Sequence, residues 1–204
     1  MEACRFPPVF VKSRAYRGYL ALSRSRDGSK KNRMALIPAL EKEEADDVAK
    51  AIYAGFEEQS GSVPAWVKVM AHDSAILAGF VSLFKAVMGP GSVDQQMKWK
   101  IGYLVSETLK CEFCVSVTKA MLVKLGADEA TIDCVKDLSC VNDTEHEILA
   151  IVRDVTEDGS VDQHQIFERL RGKLSPKELV EIASVIGFFN YINRFNNLLG
   201  VEAA

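Results

Sequence analysis

Apolar residues recur three and four positions apart almost without interruption from about residue 40 onward, and no stretch alternates as a β-strand does. This period predicts amphipathic helices, with polar residues on the opposite faces. The predicted segments are about 41–58, 64–88, 94–110, 112–125, 128–138, 143–156, 162–171 and 175–199. The pattern therefore predicts one all-α domain of about seven to eight helices.

Local start and stop signals agree with these segments. Ser175 with Glu178, and Thr144 with Glu147, have the spacing of capping boxes, in which the two side chains satisfy helix N-terminal N–H groups. Gly126 stands where the end of a helix favours a left-handed residue.

The first 33 residues differ from the rest in composition. They carry nine Lys/Arg against two acidic residues, a local charge of +7, and end in a polar run without helical period. We interpret 1–33 as a poorly ordered basic extension: either an organellar transit peptide or a non-native stretch ahead of a true start at Met34. The predicted domain covers 34–204.

The remaining chain is acidic, with a charge of −10, and its longest uncharged runs fall well short of the roughly 20 residues of a membrane-spanning helix. An acidic body without a basic patch argues against a nucleic-acid partner. We expect a cytoplasmic protein that contacts no membrane, or a mitochondrial one if 1–33 is a transit peptide.

Cys111 and Cys114 form a CxxC motif among only five cysteines. If Cys111 begins a helix, the two side chains share one face and approach closely enough for a disulfide. Lys110 and the helix dipole would favour a thiolate, which attacks peroxides and disulfides. Glu107 would lie on the same face of a continuous helix, as a proton relay or as a solvated acid.

Two other interpretations of the pair remain open. A four-cysteine zinc site would need Cys134 and Cys140 as its second half, but their spacing is atypical and no histidine lies close by. Alternatively, both cysteines are small buried side chains in a core.

The three histidines, His72, His146 and His164, lie in contexts typical of packed or exposed helix positions, and we assign them no role. The apolar stripe at 188–195 is most simply core or subunit interface. Arg194, at the end of this apolar helix, would need a carboxylate or a helix C-terminus as its partner.

Three separated segments resemble the carboxymuconolactone decarboxylase superfamily, especially its alkyl-hydroperoxidase D-like, peroxidase-related branch. "VMAHDSAILAGFVSLFKAVM" (69–88) is similar to the helix ahead of the active site, and "KIGYLVSETLKCEFCVSVTKAMLVKLGAD" (100–128) to the CxxC helix pair. "LSPKELVEIASVIGFFNYINRFNNLLGVE" (174–202) resembles the C-terminal helix.

The resemblance implies an all-α fold around a helical hairpin, with the CxxC at the start of a core helix, and assembly into homo-oligomers. It also implies peroxide reduction in which Cys114 attacks and Cys111 resolves. A thiol or dithiol partner would restore the pair, and no metal or flavin is implied.

The chain departs from the family's pattern at two positions. Active members commonly have a histidine four residues after the second cysteine, where this chain has Thr118, and a glutamate twelve residues before the first, where it has Trp99. Both partners of the usual proton relay are missing, so thiol chemistry would be slow or would use Glu107 instead. Tyr103 could join such a relay or lie in the core.

We therefore predict a thiol-dependent oxidoreductase that reduces hydroperoxides or disulfides through Cys114 and Cys111. A second hypothesis is a non-catalytic helical oligomer or redox sensor with a degenerate site. Carboxymuconolactone decarboxylase chemistry is a remote third, because that branch does not depend on a CxxC.

Overall fold

The computed structural model describes residues 35–139, 142–159 and 161–201. These residues form nine α-helices and no strand, which confirms the predicted all-α class. The helices are α1 (Asp47–Ser60), α2 (Ala65–Met70), α3 (Ser74–Met88), α4 (Gln95–Thr108), α5 (Glu112–Lys124), α6 (Glu129–Asp137), α7 (Asp143–Asp158), α8 (Gln163–Leu170) and α9 (Pro176–Leu199). The predicted extension at 1–33 lies outside the described residues.

Short polar side chains begin most of these helices. Aspartates precede α1, α3, α4, α6 and α8, and each carboxylate accepts a hydrogen bond from an N–H of the first turn. Ser175 forms the predicted capping box with Glu178 ahead of α9. Gly126 follows α5 at φ 87°, in the predicted left-handed conformation.

Two details of the predicted helices are wrong. The segment 64–88 is two helices, α2 and α3, because Asp73 caps a new helix after a short turn. Thr144 lies inside α7; the N-cap is Asn142, whose side chain accepts from the N–H of Glu145. Asparagine is as good an N-cap as serine or threonine, so the Thr144 spacing alone was misleading.

α4 is the central helix and packs against α5, α6, α7 and α9. At Gly102, α4 faces α9, and an added Cβ would overlap the ring of Phe189. A side chain at this position would therefore force the ring to move. The packing of α4 against both α5 and α9 positions the CxxC motif.

Lys98 of α4 is buried, with 1% of its surface exposed. Its Nζ donates to the carbonyls of Val87 at 2.9 Å and Gly89 at 2.8 Å, and lies 3.4 Å from Glu181 Oε2. An ammonium group has three N–H donors. Each of the three N–H donors of the buried ammonium group therefore has an acceptor.

The Glu181 carboxylate also accepts from the backbone N–H groups of Ser92, at 2.8 Å, and Val93, at 3.0 Å. These hydrogen bonds, with the nearby Lys98, lower the pKa of Glu181 to about 2. Lys98 and Glu181 thus join α9 to the turn between α3 and α4.

In the part of the chain that the structure describes, no helix combines the length and the apolar character needed to cross a bilayer.

Candidate functional site at the start of α5

A tight turn joins α4 to α5 and places both cysteines. The Cys111 N–H donates to the Ser106 carbonyl at 3.1 Å, and the Lys110 N–H to the Glu107 carbonyl at 3.2 Å. This pair of bonds is a Schellman motif, and Lys110 occupies its left-handed position at φ 55°. Cys111 then serves as the N-cap of α5. Cys111 therefore completes the hydrogen bonding at the end of α4 and also begins α5.

The two sulfur atoms lie together at the beginning of α5. A hydrogen bond joins Cys111 Sγ and Cys114 Sγ across 2.8 Å, and both residues are thiols. Cys111 is 2% exposed and Cys114 5% exposed. Asn196 of α9 also donates, from Nδ2 to Cys114 Sγ at 3.3 Å.

Opposing effects act on the ionisation of Cys114. The hydrogen bond with Cys111 and burial raise the pKa of the Cys114 thiol, whereas the Asn196 amide lowers it. Both sulfurs also lie at the N-terminal end of a helix, which favours negative charge. Two thiols this close titrate together, so the pair resists losing its second proton. The dithiol can carry one negative charge, which the two sulfurs share.

Side chains from α5 and α9 hold this arrangement. Asn197 Nδ2 donates to the Leu109 carbonyl at 2.9 Å, which fixes α9 against the turn. Thr118 Oγ1 donates to the Cys114 carbonyl at 2.8 Å. The polar contacts of α9 with the motif thus come from consecutive residues, Asn196 and Asn197.

A cavity of about 400 Å³ opens beside Cys114. Cys114 lines it, whereas Cys111 is not among its lining residues. Eight of its eighteen lining residues are aromatic: Phe56, Trp66, Phe80, Phe84, Trp99, Phe113, Phe188 and Phe189. Volume and lining are typical of a pocket for a small organic molecule.

The aromatic wall is a chain of ring contacts. Phe80 lies 5.2 Å from Trp66 and 4.8 Å from Phe188, measured between ring centroids. Phe189 continues the chain, at 5.3 Å from Phe188 and 5.9 Å from Trp99. Such packing gives the cavity a preformed shape.

The two positions at which the chain departs from the resembled family both line this cavity. Trp99 contributes a ring to its wall, and the buried Thr118 lies one turn after Cys114. An aromatic ring and a hydroxyl group therefore line the cavity at these two positions.

Glu107 is not among the residues that line the cavity. Its carboxylate lies 3.6 Å from Lys136 Nζ of α6 and hydrogen-bonds with Tyr103. Burial, followed by this hydrogen bond, raises the pKa of the Tyr103 phenol. Tyr103 is a buried residue of the core cluster, as one interpretation predicted. The proton-relay role of Glu107 stays a prediction.

The remaining sequence candidates lie apart from the cavity. Cys134 is a partly exposed residue of α6, and Cys140 lies outside the described residues. Within the described ranges, no three His, Cys, Asp or Glu side chains are grouped so as to hold a metal ion. His72 and His146 hydrogen-bond with backbone carbonyls.

Arg194 donates to the Thr156 carbonyl at 3.5 Å, in the last turn of α7. It also donates to Asn190 Oδ1 at 3.3 Å. One of its partners is thus the C-terminal end of a helix, which is one of the two predicted alternatives.

Sequence reasoning missed the cavity wall and Asn196. The stripe on α9 belongs to the hydrophobic core, as one interpretation predicted, and Phe188, Phe189 and Ile192 also line the cavity together with Asn196. The available signal was their helical spacing, which continues for one more turn to Asn196. α5 presents a similar face through Cys114 and Thr118.

No family model matches the sequence, and no curated protein does. Solved structures do match. One is an uncharacterized peroxidase-related protein from Ralstonia eutropha JMP134 with an alkylhydroperoxidase AhpD core, at a TM-score of 0.73 and 21% identity, covering 82% of this chain and 91% of that chain. A second, from Silicibacter sp. TM1040, is also peroxidase-related, with a TM-score of 0.72, 21% identity and coverage of 86% and 94%.

The apo structure of the debrominase Bmp8 matches at a TM-score of 0.72 and 19% identity, covering 83% of this chain and 92% of that chain. A further Bmp8 structure, of a variant in which one cysteine is replaced by alanine, holds 2,3,4-tribromopyrrole. Likenesses at these identities concern the fold.

Proposed function

This chain has the helical fold of the AhpD-like, peroxidase-related proteins, and from that premise we propose that it is a thiol-dependent oxidoreductase that reduces organic hydroperoxides through Cys114 and Cys111. The observation that carries the proposal is the unequal placement of the two sulfurs. Cys114 lines the cavity, and Cys111 lies behind it at 2.8 Å. This arrangement supports the proposal that Cys114 attacks and Cys111 resolves.

The proposed reaction has two steps. The Cys114 thiolate attacks the terminal oxygen of ROOH, the O–O bond breaks, and the departing alkoxide takes up a proton to become ROH. Cys114 is then a sulfenic acid, which the Cys111 thiol attacks, forming the disulfide and releasing water. The dithiol loses two electrons and the peroxide gains them. A thiol or dithiol reductant would return the disulfide to the dithiol, and disulfide substrates would be reduced by exchange with the same pair.

The reaction is expected to accelerate with rising pH. The thiolate is the attacking form, and the raised pKa of Cys114 leaves little thiolate at neutral pH. A general acid or base contributes typically 10²–10⁴-fold. With Trp99 and Thr118 in the relay positions, a slow reaction at neutral pH is expected.

Stopped-flow reaction of the reduced protein with cumene hydroperoxide tests the proposal. Cys114→Ser should abolish consumption of the peroxide, and Cys111→Ser should allow one turnover that ends at a sulfenic acid. If the wild type consumes peroxide no faster than Cys114→Ser at any pH from 7 to 10, the proposal is wrong. That result would favour a redox sensor, in which the pair forms a disulfide without turnover.

A second candidate function is reductive dehalogenation of a halogenated aromatic compound. The cavity favours it, because its aromatic wall matches a flat ring and Cys114 lies within that wall. The thiolate would take the halogen as a sulfenyl halide while the ring carbon gains a proton. Cys111 would then form the disulfide and release halide. Release of bromide from 2,3,4-tribromopyrrole, absent in Cys114→Ser, would support it, whereas equal release by both proteins would exclude it.

We also propose that the chain forms homo-oligomers through apolar side chains exposed on α3 and α9. Ile76, Leu83, Tyr191 and Leu198 are 46–72% exposed. Light scattering after size exclusion measures the assembly. A monomer at all concentrations, or an unchanged oligomer in a Leu83→Lys/Leu198→Lys variant, would contradict this interface.

A further inference from the structure

Asn196 has a buried side-chain amide in which the nitrogen forms a hydrogen bond and the oxygen does not, among the described residues. It is 1% exposed and lines the cavity beside Cys114. Its Nδ2 donates to Cys114 Sγ at 3.3 Å, whereas its Oδ1 is buried and has no hydrogen-bond partner within the ranges that the structure describes. A buried amide oxygen with no partner is costly. A ligand that donates to this oxygen would remove that cost.

The other polar side chains of the cavity are less suited to this task. Thr118 Oγ1 already donates to the Cys114 carbonyl. Gln59 and Ser60 are exposed residues of α1. Lys124 lies ten residues after Cys114, about 15 Å along α5 at the rise of an α-helix.

We propose that Asn196 positions the reacting oxygen of the substrate beside the Cys114 sulfur. Trp99 and Thr118 provide neither a carboxylate nor an imidazole for this task. Its N–H donates to the Cys114 thiolate. Its Oδ1 accepts the O–H of the terminal peroxide oxygen, the atom that the sulfur attacks. This inference rests on the proposed peroxide reduction and names the group that orients the substrate for it.

The proposed contacts agree with the chemistry of the step. A thiolate has lone pairs and no proton, so it accepts from Nδ2 and cannot satisfy Oδ1. The terminal oxygen of a hydroperoxide carries the only O–H of the group, so a hydrogen bond to Oδ1 brings that oxygen to the amide and hence to the sulfur. After the transfer, the same O–H belongs to the Cys114 sulfenic acid and can keep its bond to Oδ1. The aromatic wall would hold an apolar R group.

Asn196→Ala removes both contacts, and Asn196→Asp keeps an oxygen while removing the N–H. Two second-order rates separate the contacts. Alkylation by iodoacetamide depends on the thiolate alone, whereas reduction of cumene hydroperoxide also depends on orientation of the O–H. Asn196→Ala should lower the alkylation rate about tenfold and the peroxide rate about 100-fold. Asn196→Asp should move the pH profile of alkylation to higher pH.

Asn193→Ala is the matched control. Asn193 is also a buried asparagine of α9, and its Oδ1 likewise has no partner in the part of the chain that the structure describes, but it is not a lining residue of the cavity. Both rates should stay within about twofold of the wild type, since no contact with sulfur or substrate is lost. Thermal unfolding identifies any variant that fails to fold. If Asn196→Ala does not fold, the two rates are compared in Asn196→Asp and Asn196→Ser instead.

Three results would overturn the inference. Unchanged rates in Asn196→Ala would show that the amide acts on neither atom. An equal drop in the two rates would assign Asn196 to the thiolate alone and remove the contact with substrate. An equal loss in Asn193→Ala would indicate a structural effect. Failure of the proposed function differs from all three, because the wild type itself would then reduce peroxide no faster than Cys114→Ser.

Discussion

Replacing Lys98 with Met should strongly destabilise the protein. Methionine matches the length of the lysine stem but leaves the Val87 and Gly89 carbonyls, and the Glu181 carboxylate, without their shared donor. Leaving a buried acceptor without its donor costs about 1–3 kcal/mol. At about 2–4 °C per kcal/mol for a domain of this size, the melting temperature should fall by at least about 2 °C.

Guanidinium chloride unfolding, followed by the fluorescence of Trp66 and Trp99, measures the change. Lys119→Met is the matched control, because the Lys119 ammonium lies 3.4 Å from Glu129 with both side chains largely exposed. An exposed pair of this kind contributes about 0–1 kcal/mol. A loss in Lys98→Met no larger than in Lys119→Met would refute the assigned role of the buried charge.

The dependence of folding stability on pH in the acidic range provides a second test of the network of Lys98 and Glu181. The pKa of Glu181 is lowered from 4.5 to about 2 in the folded protein. Its contribution is therefore complete above pH 4.5 and is lost as the pH falls towards 2. Glu181→Gln should be less stable than wild type at pH 6 and should lose less between pH 4.5 and 2. Parallel curves in that range would contradict the assignment.

Three further changes test other features of the fold and site. Lys110→Gly should stabilise the protein by about 0.5–1 kcal/mol in chemical unfolding, because Lys110 lies at φ 55° where glycine is unstrained; a loss of stability would contradict the strain. Gly102→Ala should cost about 1–3 kcal/mol, since the new Cβ meets the Phe189 ring, and an unchanged melting temperature would show that the ring moves freely. Thr118→His should accelerate peroxide reduction at pH 7 by up to about 100-fold, because an imidazole would stand beside the cavity; a folded variant with the wild-type rate would exclude position 118 as a relay site.

Most helices could be predicted from the sequence, because the spacing of apolar residues and the capping residues indicate the same segments. Ser175 and Gly126 carried local signals that the structure confirms. The break between α2 and α3 was missed because apolar residues continue on both sides of Asp73. The hydrogen bond from the Ile76 N–H to the Asp73 carboxylate marks the new start.

The candidate site was only partly predictable. Spacing indicated that Cys111 and Cys114 share a face, but their unequal relation to the cavity depends on α9, which lies more than 60 residues further along the chain. Asn196 approaches Cys114 across 82 residues. No local pattern contains such a contact, because it arises from the packing of α9 on α4, which brings Asn196 to the start of α5.

The burial of Cys111 behind Cys114 bears on how the protein would withstand its own oxidant. In the proposed reaction, a peroxide that entered the cavity would meet one sulfur, and the first oxidation would be confined to Cys114. Further oxidation to the sulfinic acid, which is not readily reversed, needs a second peroxide molecule at the same atom. The resolving sulfur lies 2.8 Å away and needs no diffusion to arrive. Disulfide formation would therefore outpace irreversible damage until peroxide becomes very concentrated, and the lifetime of the protein under oxidative stress would depend on its supply of reductant.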